Sequence, residues 1–180
     1  ARDRGKKNHV TSITKSNALG YMTIWDRTFN EISEEYQDID SDSLLIDAAC
    51  MDLVRKPEAF DVIVAPNLFG DIVTDIGAII TGSMGLASSA NINPDTSVPS
   101  MFEPTHGSAP DIAGQGIANP MAQILTAAMM LRHLGEHPAA ADVDAAVLKL
   151  LEQGEILTPD LGGSSTTESV GDAIAQLVSN

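Results

Sequence analysis

Phe60-Asp-Val-Ile-Val-Ala-Pro-Asn-Leu-Phe-Gly-Asp-Ile-Val-Thr-Asp75 is the stretch that decides the fold of this 180-residue chain. Its first six residues are mostly apolar and β-branched, which predicts a buried strand over 60–65. Pro66-Asn67 breaks that strand, and a helical pattern runs from Leu68 to Ile80. A strand that leads directly into a helix is the repeating unit of parallel α/β sheets.

Two more strand–helix pairs come before this stretch. Alternating β-branched residues predict a strand over 10–14, and near-helical spacing of apolar residues predicts a helix over 17–36. Residues 44–46 predict a short buried strand, and a helix follows over 48–55, where Pro57 stops it. This alternation predicts an α/β fold with parallel or mixed sheets and flanking helices.

Beyond Thr81 the sequence becomes rich in small residues. Residues 82–90 predict a hinge or domain crossover, and residues 91–99 predict a loop from their Asn, Pro and Asp content. The predicted domains are therefore 1–81 and 82–180. Further elements of the second domain are a short strand and three helices, predicted over 101–103, 121–134, 142–153 and 166–178.

The composition excludes several classes of function. Ten Lys plus Arg residues face 25 Asp plus Glu residues, and the net charge of −15 argues against nucleic acid or an anionic membrane as partner. Cys50 is the only cysteine, which excludes an intramolecular disulfide and fits a reducing cytoplasm. The most apolar segment, residues 121–134, is too short to span a bilayer and contains Arg132 and His133.

Two carboxylates, Asp71 and Asp75, stand four residues apart on the predicted helix. That spacing places both on one helix face. Like charges so close repel unless a cation lies between them, so a hard divalent metal ion fits the pair. A solvated acidic face explains the same spacing, and the pattern alone favours that plainer interpretation.

Asp47 and Lys15 follow two other predicted strands. Ligands of α/β sheets bind at the carboxyl ends of strands, and oxygen ligands such as these aspartates select Mg²⁺ or Mn²⁺. An α-hydroxy acid could chelate such an ion, which would stabilise the enolate left by loss of CO₂. Lys15 is a candidate for proton transfer if burial or a cationic neighbour lowers its pKa. An ordinary surface lysine is the alternative.

The loop from Glu103 to Asp111 is dense in Gly, Pro and hydrogen-bonding groups. Successive backbone N–H groups at Gly107, Ser108 and Ala109 form the kind of nest that receives phosphate oxygens. Asp111 is then placed to accept hydrogen bonds from ribose hydroxyls, which favours NAD over NADP. A G-x-G-x-x-G motif is missing, so a dinucleotide site here would not be of the Rossmann type. The same loop offers His106 to stack on adenine, although a lone histidine is more often structural.

Three segments together resemble the metal-dependent β-decarboxylating hydroxyacid dehydrogenases, which include 3-isopropylmalate, tartrate or D-malate, isocitrate and homoisocitrate dehydrogenases. These segments are Ile13-Thr-Lys-Ser-Asn17, Asn67-Leu-Phe-Gly-Asp-Ile-Val-Thr-Asp75 and Phe102-Glu-Pro-Thr-His-Gly-Ser-Ala-Pro-Asp-Ile-Ala-Gly-Gln-Gly-Ile-Ala-Asn-Pro120. The similarity extends to Asp160-Leu-Gly-Gly163 and covers essentially the whole chain, in the order found in the family.

The resemblance implies specific roles for residues of this sequence. Lys15 would be the catalytic lysine, and Asp47 would reach across a homodimer to complete the metal site of the partner's Asp71 and Asp75. Asn17 would lie near the nicotinamide and the substrate. The residues implied in the NAD site are Glu103, His106, Gly107, Ser108, Ala109, Asp111, Ile112 and Asn119. Asp111-Ile112 resembles the NAD-using form, because NADP-using relatives tend to have Lys-Tyr there.

The resemblance covers the C-terminal half of such an enzyme. Family members have upstream the arginines that hold the substrate carboxylates and the helix that recognises the substituent. Residues 91–95, 99–104 and 110–116 are similar to 3-isopropylmalate dehydrogenases, whereas residues 14–17 are more like tartrate or D-malate enzymes. We therefore expect oxidative decarboxylation of a 3-substituted malate. The first candidate substrate is 3-isopropylmalate, an intermediate of leucine biosynthesis, and tartrate or D-malate is the alternative. A non-catalytic subunit of the same fold and a metal-dependent lyase without redox chemistry are the alternatives.

Overall fold

The structure, a computed structural model, describes residues 1–95 and 97–179 and divides into two compact units. These units are Ala1–Ile80 and Thr81–Asn180. Thr96, within the predicted loop, lies outside the described residues. Among those residues, no helix is long and apolar enough to cross a membrane.

The first unit is a three-stranded parallel sheet with helices that follow its strands. The elements in chain order are β1 (His9–Thr14), α1 (Thr23–Ser33), β2 (Asp40–Leu45), α2 (Ile46–Arg55), β3 (Val62–Val64) and α3 (Asn67–Ile80). The strand order is β2-β1-β3, and both pairings are parallel. The predicted strand–helix alternation and parallel sheet are confirmed.

The central strand β1 carries the core of this unit. Its residues Thr11 to Thr14 are buried, because β1 has a neighbour on each side and helices pack against the sheet. The buried apolar cluster joins Ile13 with Ala49 and Leu53 of α2 and with Phe69 and Val73 of α3. The helices α2 and α3 are therefore fixed against the sheet, and each begins within three residues of the end of a strand.

The second unit packs three helices and an antiparallel strand pair. The elements are β4 (Ser88–Asn91), β5 (Met101–Pro104), α4 (Met121–His133), α5 (His137–Gln153) and α6 (Thr167–Val178). Helix α4 packs against both strands and against α5, which in turn contacts α6. The buried core of these helices consists of Met121, Ala146, Val147, Leu150, Val170 and Ile174.

Several element bounds differ from the sequence-based prediction. The strand β2 begins at Asp40, four residues before the predicted start, because its polar residues pair along β1. Helix α1 starts only at Thr23, after a 3₁₀ turn over Gly20–Met22. Helix α5 begins five residues early at His137, where a proline occupies the first turn. The strand β4 lies in the predicted hinge and pairs small residues with β5.

Candidate active site

Lys15 and Asp47 meet at the carboxyl edge of the parallel sheet. Thr14 at the end of β1 pairs with Leu45 at the end of β2, so the residues that follow emerge side by side. The Lys15 ammonium donates a hydrogen bond to Asp47 Oδ1 and forms an ion pair with it. The sheet register therefore brings these two predicted site residues together.

The ion pair fixes the charge on Asp47. The hydrogen bond from Lys15 holds the pKa of the Asp47 carboxyl below its ordinary value, so this group is an anion at neutral pH. The neighbour of Lys15 is thus an anion, whereas the sequence-based hypothesis named burial or a cationic neighbour. An ionised carboxylate is the form that binds a divalent metal.

Asp71 and Asp75 lie on the exposed face of α3 within an apolar stripe. Leu68, Ile72 and Ile79 share that face and are also exposed. In the described part of the chain, neither carboxylate has a hydrogen-bond or ion-pair partner. We call these five residues the α3 stripe.

The α3 stripe fits a divalent metal only in part. Its two carboxylates supply hard oxygen ligands on one helix face, as such an ion requires. Within the residues described, no group of three or more His, Cys, Asp or Glu side chains could hold a metal ion. One chain therefore supplies metal ligands of suitable chemistry but too few of them to hold the ion.

A cavity of about 880 Å³ lies in the second unit. It falls within the range of small-molecule and cofactor sites, roughly 300–1,000 Å³. Six of the predicted cofactor residues line it, namely His106, Gly107, Ser108, Ala109, Ile112 and Asn119.

The loop over this cavity offers free hydrogen-bond donors. The backbone N–H groups of Gly107, Ser108 and Ala109 donate to no acceptor in the described residues. Ala109 has a φ of 42°, a left-handed conformation that is uncommon outside glycine. Farther along, Thr167 anchors the loop, because its N–H donates to the Gly116 carbonyl at 2.8 Å. Unpaired N–H groups beside a cavity suit the oxygens of an anion.

Other predicted residues lie outside that lining. In the part of the chain that the structure describes, Glu103 and Asp111 are exposed and do not line the cavity, and Asn17 belongs to the first unit. The lining also includes residues that the sequence pattern did not indicate: Ser83, Met84, Gly85, Ala113, Gly114, Gly116, Ile117, Ala118, Pro159, Asp160 and Thr167. Residues 82–90 were predicted as a hinge because most of their side chains are small, and the signal available there was the Gly-Ser-Met-Gly run after Thr81. Residues 113–118 and Asp160 stand in the segments that carry the family resemblance.

A smaller cavity of about 300 Å³ in the first unit lacks comparable chemistry. Its lining is mainly hydrocarbon, from side chains such as Val10, Phe29 and Ile32. The guanidinium group of Arg2, which also lines it, is already paired with Asp38 at 2.7 Å.

A family model described as isocitrate/isopropylmalate dehydrogenase matches residues 1–174. The chain belongs to the isocitrate/isopropylmalate dehydrogenase family. A probable tartrate dehydrogenase/decarboxylase of Bacillus subtilis (strain 168) is 52% identical over 173 residues, which are 94% of this chain and 48% of that relative. A 3-isopropylmalate dehydrogenase of Thermobifida fusca (strain YX) is 49% identical over 170 residues, which are 94% of this chain and 47% of that relative.

Solved structures of the isocitrate/isopropylmalate dehydrogenase family share the fold. An isocitrate dehydrogenase from Methylococcus capsulatus matches with a TM-score of 0.92 and 42% identity, over 99% of this chain and 52% of that one. A β-decarboxylating dehydrogenase from Thermococcus kodakarensis matches with a TM-score of 0.83 and 38% identity, over 99% of this chain and 51% of that one. The chain spans about half the length of the curated relatives it matches. These matches confirm the predicted family and fold class.

Proposed function

We propose that this chain is the C-terminal half of a β-decarboxylating dehydrogenase that oxidises a hydroxy-dicarboxylic acid with NAD and a divalent metal. The observation that carries the proposal is the Lys15–Asp47 ion pair at the carboxyl edge of the sheet, in a family of such dehydrogenases. The same unit displays Asp71 and Asp75 unpaired on α3. In this proposal, residues 1–81 belong to the catalytic and dimerising domain and residues 82–180 to the NAD-binding domain.

The metal site would be held by Asp71 and Asp75 of one chain and by Asp47 of another. When bound, Mg²⁺ or Mn²⁺ supplies positive charge that stabilises negative charge on the substrate oxygens. The carboxylate oxygens of this chain fix the position of that charge. Asp47 is suited to be the third metal ligand because its carboxylate is ionised and remains mostly exposed.

Lys15 would handle the proton in this site. Its ammonium group is oriented by the Asp47 carboxylate, so the Nζ atom is held at the sheet edge where the strands end. From there the ammonium could release a proton to the substrate carbon after decarboxylation, and the neutral amine that remains could take one from the substrate hydroxyl in the next turnover. Asn17, two residues farther along, would contact the nicotinamide and the substrate.

The cavity of the second unit would bind the dinucleotide. The free N–H groups of residues 107–109 would contact phosphate oxygens, and His106 would contact the adenine. Asp111 lies on the same exposed loop beside Ile112, where its charge would repel a 2′-phosphate and thereby favour NAD. Ile112 and Asn119 complete the proposed NAD site within the cavity, and Glu103 would contact the nucleotide from outside the cavity lining.

A homodimer would bring the two halves of the metal site together. Helix α2 exposes Asp47, Met51 and Val54 on one face, since these residues stand four and three positions apart. The α3 stripe likewise combines carboxylates with exposed apolar residues. Two copies related by a twofold axis would bury both apolar faces and place Asp47 of each against the α3 stripe of the other.

The proposed substrate is 3-isopropylmalate, with tartrate or D-malate as the second candidate. The similarity of residues 91–95, 99–104 and 110–116 supports the first, and the probable tartrate dehydrogenase/decarboxylase of Bacillus subtilis at 52% identity supports the second. A cytoplasmic location rests on the single, unpaired Cys50.

The proposal is tested by assaying the full-length protein with NAD and NADP. Each cofactor is combined with Mg²⁺ or Mn²⁺ and with 3-isopropylmalate, D-malate or tartrate, and reduced cofactor is measured by absorbance. We expect metal-dependent NADH formation with one of these acids and its loss in Asp71→Asn. Asp3→Asn, an exposed aspartate of the same unit, is the matched control. Failure to form reduced cofactor from any acid would refute the proposed function.

A further inference from the structure

The Asp160 carboxylate accepts hydrogen bonds from three separate side chains. Thr158 Oγ1 donates to Oδ1 at 2.5 Å, and Asn119 Nδ2 donates to Oδ2 at 3.0 Å. The Ser83 hydroxyl donates to the same Oδ2 atom. These donors are 77, 41 and 2 residues away in sequence, so one carboxylate links distant segments.

Each linked segment is itself ordered by the same side chains. Ser83 Oγ accepts from the Gly85 N–H at 2.9 Å and caps the 3₁₀ turn over Met84–Leu86. Asn119 Oδ1 accepts from the Met121 N–H at 2.9 Å at the start of α4. Ser83, Gly85, Asn119 and Asp160 all line the 880 Å³ cavity. The carboxylate therefore ties together three segments that form the cavity wall.

Gly85 has no space for a side chain on the side that faces this network. A Cβ atom on Gly85 would lie 2.6 Å from Asn119 Cβ and 2.8 Å from Asp160 Oδ2. Contacts this close force a neighbour to move, so Gly85 sits directly against the hydrogen-bonded pair. The position of the turn and the position of Asn119 are thus coupled through Asp160.

The charge of Asp160 matters as much as its shape. Burial alone would raise the pKa of its carboxyl, but hydrogen bonds from Ser83, Thr158 and Asn119 outweigh burial and leave that pKa below its ordinary value. An ionised carboxylate can only accept, and all of its partners here donate. Asparagine keeps the shape, but its N–H₂ group cannot accept: in place of Oδ2 it opposes the N–H₂ group of Asn119, and in place of Oδ1 it cannot accept from Thr158.

We propose that Asp160 is a positioning residue for the dinucleotide, which fixes Asn119 and the Ser83–Gly85 turn as one rigid wall of the cofactor cavity. The inference rests on the proposed function, because it takes this cavity as the NAD site. Asp160 acts through its neighbours and need not touch the nucleotide. Loss of its carboxylate would leave the wall mobile, and the nucleotide would have to order it on binding.

The test compares Asp160→Asn with Asp142→Asn in the full-length protein. Asp142 is an exposed aspartate of α5 and lies outside the cavity lining. NAD affinity and stoichiometry are measured by titration calorimetry, and KM and kcat by NADH absorbance. We expect the Kd and KM for NAD to rise about tenfold in Asp160→Asn, with stoichiometry preserved and kcat within about twofold. Asp142→Asn should match the unaltered protein.

Ser83→Ala provides a milder variant if Asp160→Asn does not fold. It removes one of the three donors, and we expect the Kd for NAD to rise roughly threefold. In the double variant the two effects should be less than multiplicative, because both changes break the same contact.

Several results would overturn the inference. An unchanged Kd in Asp160→Asn, or a fall in stoichiometry or melting temperature with the Kd unchanged, would reduce Asp160 to a purely structural residue. If the unaltered protein binds neither NAD nor NADP, the proposed function fails together with this inference. If the unaltered protein binds NAD and the Asp160 and Ser83 variants bind it with the same Kd, the inference is refuted and the proposed function is not.

Discussion

At Gly163 the backbone leaves no room for a side chain. A Cβ atom there would lie 2.0 Å from the carbonyl oxygen of Leu157, a backbone atom that cannot rotate away. We expect Gly163→Ala to lower the free energy of unfolding by about 1–3 kcal/mol, because the chain must shift to relieve the overlap. Urea unfolding followed by circular dichroism measures this change.

Gly171 is the matched control for that substitution. It lies within α6, and a Cβ atom there meets nothing within 4 Å. Because alanine is a better helix former than glycine, Gly171→Ala should raise the free energy of unfolding by about 0.5–1 kcal/mol. Equal effects of the two substitutions would show that the contact at Leu157 is not the cause.

At the scale of the element, the sequence pattern predicts those strands and helices whose conformation depends on their own residues. β1 and α3 were predictable because the β-branched residues of 10–14 favour a strand and because Phe69, Val73 and Ile76, which pack in the core, recur at helical spacing. β2 was only half predictable, since Asp40 to Ser43 are polar and become a strand by pairing with β1. β4 consists of small residues whose pairing with β5 cannot be inferred from spacing.

The candidate site residues also divide into those that the sequence pattern predicts and those that it does not. Lys15 and Asp47 follow from strand ends, because parallel strands bring their carboxyl ends to one edge. The contact of Ser83 with Asp160 spans 77 residues and depends on the packing of the second unit, so no local pattern indicates it.

The start of β3 is joined to the N-terminal segment by Asp61. Its carboxylate is 1% exposed and accepts from Arg4 Nε at 2.8 Å. That hydrogen bond holds the pKa of Asp61 below its ordinary value, so ionised Asp61 stabilises the fold above the unfolded pKa, near 4. This contribution is lost as the pH falls through the lower, folded pKa.

We therefore expect Asp61→Asn to be less stable than the unaltered protein at pH 7 and to lose less stability on acidification. Urea midpoints at pH 7 and pH 3 measure the difference. An equal loss in both proteins would contradict the role of this ion pair.

At the scale of the whole molecule, the proposed shared metal site requires a dimer. Ile79 of the α3 stripe is 66% exposed and Leu148 of α5 is 58% exposed, so the two are comparable surface residues. Ile79→Glu should dissociate the full-length protein and abolish turnover, because a charge would be buried at the contact. Leu148→Glu should leave both unchanged. Sedimentation velocity measures the dissociation, and NADH absorbance measures the turnover. A dimeric, active Ile79→Glu protein would contradict the proposed interface.

The most direct test of the shared site mixes two inactive variants of the full-length protein, Asp47→Asn and Asp71→Asn. If each site takes Asp47 from one chain and Asp71 from the other, a mixed dimer contains one intact site and one doubly altered site. After subunit exchange at equal amounts, we expect about a quarter of the unaltered specific activity, since about half of the dimers are mixed. A mixture of Asp71→Asn with Asp75→Asn should stay inactive. If the first mixture also stays inactive while the chains exchange, the metal site is not shared.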